Sequence, residues 1–410
     1  MNDAKPFDPA SDIQDYLVFG EFGDVNPSIT DSSTFTFLSP EKMKEAFSHE
    51  LEGCFLYSRH WNPINKYLSR ALAALEGAES AHVTASGMAA IACAMLQICQ
   101  AGDEVVANRT IYGGTYAFFK NFLPRLGITV RFANLQDEHE ARRAITDRTK
   151  VVYCEAMSNP LLEIADLPLL ASLAHAHGAK LVVDNTFSPL IFTPLRHGAD
   201  VVVHSLTKFA NGTSDCVAGA ICADEEFVAA LSDVNSGACM LLGPVLDSFR
   251  SASILKNLHS LHIRMQKHGE NARYLAERLE TLGLPVFYPG LPSHHQYDRM
   301  KALMNPGFGY GGILAVDVGD EDTANRLMLA MQENLVGYLA VSLGYFKTLF
   351  SLPGSSTSSE IPKHEQASMG LSPGIIRMSV GLDNDISRTY ARIKACIEQV
   401  GVDSALVGQS

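Results

Sequence analysis

The spacing of apolar and polar positions changes character near Asn65. Before it, about sixty residues hold no sustained periodicity and carry turn formers such as Asn26-Pro27 and Ser39-Pro40, so they read as an arm. Beyond it, apolar residues recur at helical spacing over 65 to 76. Thr84-Ala85-Ser86-Gly87 follows, and an apolar helix is predicted to run to about Cys99. Short β-rich runs then alternate with helical stretches: Glu104 to Ala107, Thr129 to Phe132, Val151 to Glu155, Lys180 to Asp184 and Asp200 to His204. Val-rich runs without alternation are buried on both faces, which implies a mainly parallel sheet wrapped by helices over residues 65 to 255.

A long polar-apolar helix over Leu255 to Leu282 leads into a second region, where strands such as Gly312 to Val318 are fewer and helices follow them, an α+β pattern. The expected division is an arm over 1–64, a large domain over 65–260 and a C-terminal domain over 261–410. The Ser/Gly/Pro-rich stretch Ser351 to Ser359 reads, on composition, as a flexible loop.

Composition narrows the function classes. An apolar share of 47% and a charged share of 19% belong to a soluble globular chain, and no run of about 18 uncharged apolar residues could span a bilayer. A net charge of −13 and no basic stripe argue against sequence-independent nucleic-acid binding. The start, Met1-Asn2-Asp3-Ala4-Lys5-Pro6, shows no export or organelle signal, so a cytoplasmic location is expected. The eight cysteines (54, 93, 99, 154, 216, 222, 239 and 396) form no Cys-x-x-Cys pair and have no His-x-x-x-His companion. Neither a metal site nor a disulfide framework is expected, and reduced, mostly buried thiols are.

The densest chemistry lies in Asp200-Val201-Val202-Val203-His204-Ser205-Leu206-Thr207-Lys208, an apolar strand ending in two hydroxyls and a lysine. Ligands of open α/β sheets sit beyond the carboxyl ends of strands. Ser205 and Thr207 there suit phosphate oxygens, and Lys208 suits an imine. Leu181-Val182-Val183-Asp184-Asn185 brings a carboxylate to the same edge. Beside a pyridine nitrogen Asp184 would keep the ring protonated; taken alone, it suits magnesium equally well. Ser86-Gly87-Met88 opens a helix whose free N–H groups would cradle a phosphate, and Ser86 is also a natural N-cap. The ring of Tyr112, before Gly113-Gly114, could stack on a planar cofactor, although a tyrosine beside two glycines is usually just a turn.

In this order the pieces resemble the Cys/Met-metabolism family that depends on pyridoxal phosphate (PLP). Its members include methionine γ-lyases, cystathionine lyases and synthases, and homoserine-ester sulfhydrylases. The resemblance also takes in Tyr57-Ser58-Arg59 with Asn62-Pro63, Leu75-Glu76-Gly77-Ala78-Glu79, Glu155 with Asn159-Pro160, Ser342-Leu343-Gly344, and Arg377 before Ser379-Val380-Gly381. It implies the aspartate-aminotransferase-like α/β fold of PLP-dependent transferases, with a mainly parallel sheet in the large domain and a smaller α+β C-terminal domain.

The resemblance further implies that Lys208 carries the cofactor as an imine and that Asp184 faces the pyridine nitrogen. Gly87, Met88, Ser205 and Thr207 would bind the phosphate, Tyr112 would stack on the ring, and Asn159 would touch the ring hydroxyl. Tyr57 and Arg59 would reach the phosphate of a neighbouring subunit, in a homotetramer built from dimers. Arg377 would grip the carboxylate of an amino-acid substrate bidentately, with Asn159 and Ser342 nearby.

Within the family, Phe19-Gly20-Glu21, Ser58-Arg59-His60, Met240-Leu241-Leu242-Gly243-Pro244, Gly309-Tyr310-Gly311-Gly312 and Gly354 to Glu360 look most like the plant-type methionine γ-lyase branch. The expected reaction is α,γ-elimination of L-methionine to methanethiol, 2-oxobutanoate and ammonia. Lys208 would be the base and Tyr112 the acid, its pKa lowered by Arg59 and the cofactor phosphate. Gly114 stands where bacterial members carry cysteine, and the missing side chain is expected to leave room for bulkier substrates. Val341 is apolar where cystathionine γ-lyases tend to have an acid.

A cystathionine lyase and an O-acetylhomoserine sulfhydrylase are the near alternatives. A dinucleotide-dependent dehydrogenase is weighed on Gly307-Phe308-Gly309-Tyr310-Gly311-Gly312, but that segment precedes a strand instead of joining a strand to a helix. A non-catalytic binding protein gives no reason to keep Lys208, Asp184 and Arg377 together.

Overall fold

The computed structural model describes residues 7–16, 23–48 and 53–402. Met1 to Pro6 and Phe19-Gly20-Glu21 lie outside them. The stretch read as an arm contains two short helices, Pro9–Asp15 and Pro40–Ser48. The first regular long element is the helix Pro63–Glu76. Asn62 caps its start by accepting from Ile64 N at 3.1 Å, and Gly77 ends it in a left-handed turn at φ 63°. That turn suits a residue without Cβ.

Twelve strands are assigned among the described residues. Seven form one sheet: β1 (Ser80–Thr84), β2 (Glu104–Asn108), β3 (Thr129–Ala133), β4 (Thr149–Glu155), β5 (Lys180–Asp184), β6 (Val201–Ser205) and β7 (Gly219–Ala223). Their spatial order is β1-β7-β6-β5-β4-β2-β3. The five strands β6, β5, β4, β2 and β3 run parallel; β7 is reversed, and β1 pairs antiparallel with β7 and so runs in the direction of the five. The parallel strands match the predicted runs to within two residues at each end. In β5, Leu181, Val182 and Val183 have no exposed surface, and burial of each such side chain is worth about 1.5–3 kcal/mol.

The predicted helix over Leu255 to Leu282 is two helices, Ser248–Leu258 and Leu261–Thr281, interrupted at His259-Ser260. After it comes a second sheet of β8 (Val286–Phe287), β9 (Ile313–Asp317), β10 (Gly337–Leu339), β11 (Thr348–Ser351) and β12 (Ile375–Ser379), in the order β10-β11-β12-β9-β8. The fold is thus α/β with a mainly parallel central sheet. Among the described residues no helix is long and apolar enough to cross a membrane. All eight cysteines are free; Cys54 is exposed and the other seven are buried.

The Ser-rich stretch is not the loose loop that its composition suggests. Gln366 Nε2 donates to the carbonyls of Gly354, Ser358 and Ile361 at 3.1, 3.0 and 2.9 Å. Thr357 O accepts from Gly113 N at 3.2 Å. One buried amide and one backbone bond fix the segment against the turn that carries Tyr112.

Candidate active site

The carboxyl ends of β4, β5 and β6 share one edge of the sheet, with Glu155 in register with Asp184 and Asp184 with Val203. A cavity of about 270 Å³ opens there. Gly87, Met88, Tyr112, Asn159, Asp184, Ser205, Thr207, Lys208 and Arg377 all line it. Ser342 joins them through its Oγ, which accepts from Lys208 Nζ at 3.4 Å. A larger cavity of about 720 Å³, bordered by Phe47, Trp61, Arg70 and Glu225, contains none of these residues.

Asp184 is held from both oxygens. Oδ1 accepts from Thr186 N at 2.9 Å, and Oδ2 accepts from the Tyr153 hydroxyl at 3.4 Å. Burial raises its pKa, opposed by the bonds to Thr186, the nearby His204 and Tyr153. Behind it lies a buried pair, His204 Nε2 to Glu76 Oε1 at 2.7 Å, and the same oxygen accepts from Asn185 Nδ2 at 2.8 Å. Lys208 is pushed below the ordinary lysine value by burial and then by Arg377. A depressed amine is a better nucleophile toward a carbonyl near neutral pH.

Ser86 caps the helix Gly87–Ile98, its Oγ accepting from Ala89 N at 3.0 Å. A Cβ on Gly87 would stand 2.7 Å from Ser205 Cβ, so only glycine lets the helix start lie against the end of β6. This leaves a concave cluster of N–H groups beside two hydroxyls, the donor set a phosphate dianion needs. Thr207 Oγ1 sits between Ala218 O at 3.3 Å and Ala218 N at 3.1 Å. A phosphate cradle, an amine and a buried carboxylate around one cavity fit PLP: the group's phosphate, aldehyde and pyridine nitrogen each find a matching side.

Arg377 is 2% exposed, and burial lowers its pKa to about 10. Its Nη1 donates to Asn159 Oδ1 at 2.9 Å and its Nη2 to Ser351 Oγ at 3.3 Å. Neutral partners hold the guanidinium, so its charge remains for an anionic ligand.

Arg59 does not border this cavity, as a role toward a neighbouring subunit requires: its Nη1 donates to Met240 O at 2.8 Å, and Tyr57 is 46% exposed beside it. Two expectations change. Tyr112 is raised rather than lowered within one chain, because burial and the Glu360 carboxylate disfavour a phenolate and outweigh Arg377. Gly114 leaves no free room, since a Cβ there would run into the Tyr112 ring. Sequence reasoning quoted Glu155 without giving it a role, and it missed Tyr153 and Thr186. The signal for Glu155 was a second acid at the end of a Val-rich strand, next to Asp184 in the sheet.

The comparisons with known proteins agree with this geometry. Residues 16–388 match the model of the Cys/Met metabolism PLP-dependent enzymes. The chain is 43% identical to the methionine gamma-lyase of Arabidopsis thaliana over 394 residues, 94% of this chain and 89% of that protein. It is 36% identical to the cystathionine gamma-lyase of Dictyostelium discoideum over 382 residues, 92% and 94% of the two chains. A Campylobacter jejuni structure carrying N'-pyridoxyl-lysine-5'-monophosphate superposes with a TM-score of 0.88 at 26% identity, over 96% of this chain and 100% of that one. This chain is therefore an enzyme whose cofactor is pyridoxal phosphate, and it belongs to the Cys/Met metabolism PLP-dependent family.

Proposed function

We propose that the enzyme eliminates the γ-methylthio group of L-methionine, giving methanethiol, 2-oxobutanoate and ammonia. The observation that carries this reading is the chemistry of the cavity lining. Arg377 offers a charged clamp for a carboxylate, and Val217, Val341 and Leu343 offer apolar surface. The acids among the lining residues are Asp184 and Glu155, and both already accept from N–H or O–H donors. A thioether therefore meets matching surface, whereas a distal ammonium finds no free carboxylate among those residues.

When bound, PLP supplies an electron sink for the substrate's α-carbon, with Lys208 as its covalent partner and Asp184 at its pyridine nitrogen. Gly87, Met88, Ser205 and Thr207 would hold its phosphate, Tyr112 would stack on its ring, and Asn159 would bind its ring hydroxyl. Arg377, with Asn159 and Ser342, orients the substrate carboxylate. Lys208 Nζ removes the proton from Cα, a second proton leaves Cβ so that the Cγ–S bond can break, and the Tyr112 phenol donates one to the departing sulfur. A phenol whose pKa is raised suits that second task, because it stays protonated until the thiolate forms.

The proposed assembly is a homotetramer built from dimers, in the cytoplasm, with Tyr57 and Arg59 completing the phosphate site of a neighbouring subunit. Support comes from their exposed position, with Arg59 against the turn that carries the exposed apolar residues Leu241 and Leu242. The division into an arm, a PLP-binding domain and a C-terminal domain near residues 64 and 260 goes with this reading.

The second reading, cystathionine cleavage or homoserine-ester sulfhydrylation, rests on the similarity to a cystathionine gamma-lyase. One experiment separates the two. The enzyme is incubated with methionine, homocysteine, cystathionine, and O-acetylhomoserine plus sulfide, and ketoacid, thiol and product amino acid are quantified. Methionine should be cleaved more efficiently than cystathionine; the reverse order, or faster synthesis of homocysteine, overturns the assignment.

A further inference from the structure

Glu155 ends β4 in register with Asp184 on β5, which puts the two carboxyl groups on the same face of the sheet. It is 6% exposed, and both of its oxygens are engaged. Oε1 accepts the backbone N–H of Tyr112 at 2.7 Å, and Oε2 accepts the backbone N–H of Asn159 at 2.8 Å. Tyr112 stands just before the helix Gly113–Ala117 and Asn159 in the turn after β4, so neither N–H is drawn into a strand ladder. Asn159 extends the connection, since its Oδ1 accepts from Arg377 Nη1 at 2.9 Å.

A buried acid is a costly choice for a structural tie. Burial and then the Asp184 carboxyl raise the pKa of Glu155, and the two N–H donors and Arg377 oppose that rise by favouring the carboxylate. Two N–H donors converging from opposite sides explain the choice. A carboxylate offers an acceptor to each, whereas a glutamine amide would turn its own NH2 toward one of them.

We propose that Glu155 is a positioning residue for the reaction: its carboxylate fixes the backbone at Tyr112 and at Asn159 together, setting the cofactor-facing ring and the carboxylate-binding pair Asn159 and Arg377 in one geometry. The role rests on the reading of this cavity as the PLP site with Arg377 as the clamp. A tie of this kind acts on two ligands at once, which a merely structural acid does not.

The test is Glu155→Gln, with Glu155→Asp as a second variant that keeps the charge but shortens the reach. PLP affinity is measured by titrating the apoenzyme. Affinity for glycine, which has no leaving group, is measured by the change it causes in holoenzyme absorbance. Both dissociation constants should rise about tenfold to a hundredfold in the Gln variant, the effect of losing a bond to a charged acceptor, while the thermal midpoint stays near that of the wild type. Values within twofold of wild type, or a loss for one ligand only, overturn the proposal. Should neither variant fold, amide hydrogen exchange of the wild-type protein decides. Slow exchange at both Tyr112 and Asn159 supports the tie, and free-peptide rates at either position overturn it. Borohydride labelling on the same wild-type sample separates the two layers. A label on a lysine other than Lys208 sinks the reading of the cavity, whereas labelled Lys208 with unaffected variants sinks only the role of Glu155.

Discussion

The ring of Tyr112 rests on Gly114: a Cβ built on the glycine would lie 2.6 Å from Tyr112 Cε1, closer than real side-chain carbons approach. The glycine is a seat for the ring and not a vacancy for substrate. Gly114→Cys should therefore tilt the ring out of place and lower kcat for methionine elimination by at least about tenfold, a part of the 10²–10⁴-fold that acid catalysis supplies. Steady-state kinetics check this, with KM expected to move less than kcat. An unchanged kcat would mean that the phenol reaches the sulfur from another orientation.

Val341 lines the cavity and is 61% exposed, so a longer side chain there has space to extend. Val341→Glu should shift the ratio of kcat/KM values toward cystathionine over methionine by about tenfold to a hundredfold, the worth of one favourable polar contact. Competition between the two substrates in one vessel measures the ratio directly.

Arg59 is exposed and bonded to Met240 O, away from the cavity of its own chain. If it serves a neighbouring subunit, mixing Arg59→Ala with Lys208→Ala protein under conditions of subunit exchange should regenerate activity, because one shared site regains both residues. Hybrids detected by mass spectrometry without recovered activity would place each site within one chain.

His82 is buried against Ser232, at 3.2 Å between Nδ1 and Oγ, and burial first, then His60 and Lys66, lower its pKa from 6.5 to about 3. The unfolded chain takes up a proton here as pH falls below 6.5, and the folded chain does not until about 3. Its contribution to stability is therefore present above 6.5 and declines by about 1.4 kcal/mol per pH unit across that window. The fall in thermal midpoint between pH 7 and pH 5 should be smaller in His82→Gln than in the wild type. Equal falls in the two proteins would show that His82 does not titrate in this way.

The parts of the fold that could be read from the sequence are those whose signal is local. Lys180–Asp184 is a Val-rich run with a sharp polar end, and both ends were placed correctly. β1 and β7 were missed because they pair antiparallel with each other outside the run of parallel strands, and β1 contains His82, a buried polar residue whose partner, Ser232, lies far along the chain. The short strands β8 and β10, of two and three residues, give no periodicity to detect. At the site, Lys208, Asp184 and Arg377 are visible because the residue type itself states the chemistry. The function of Glu155 is not visible in that way, since its partners are backbone N–H groups that every residue possesses. Composition misjudged the Ser-rich stretch for a related reason: Gln366, which pins it, is an ordinary polar residue until the fold turns it inward.

The burial of seven of the eight cysteines bears on how this enzyme tolerates its own chemistry. Methanethiol is a small nucleophile that cleaves accessible disulfides and, once oxidised, caps accessible thiols. A chain with no cross-link offers the released product nothing to cleave, and one whose sulfur atoms are nearly all enclosed presents a single surface position, Cys54, where a methylthio adduct could form. The catalyst would thus be largely inert toward methanethiol, the product proposed for it.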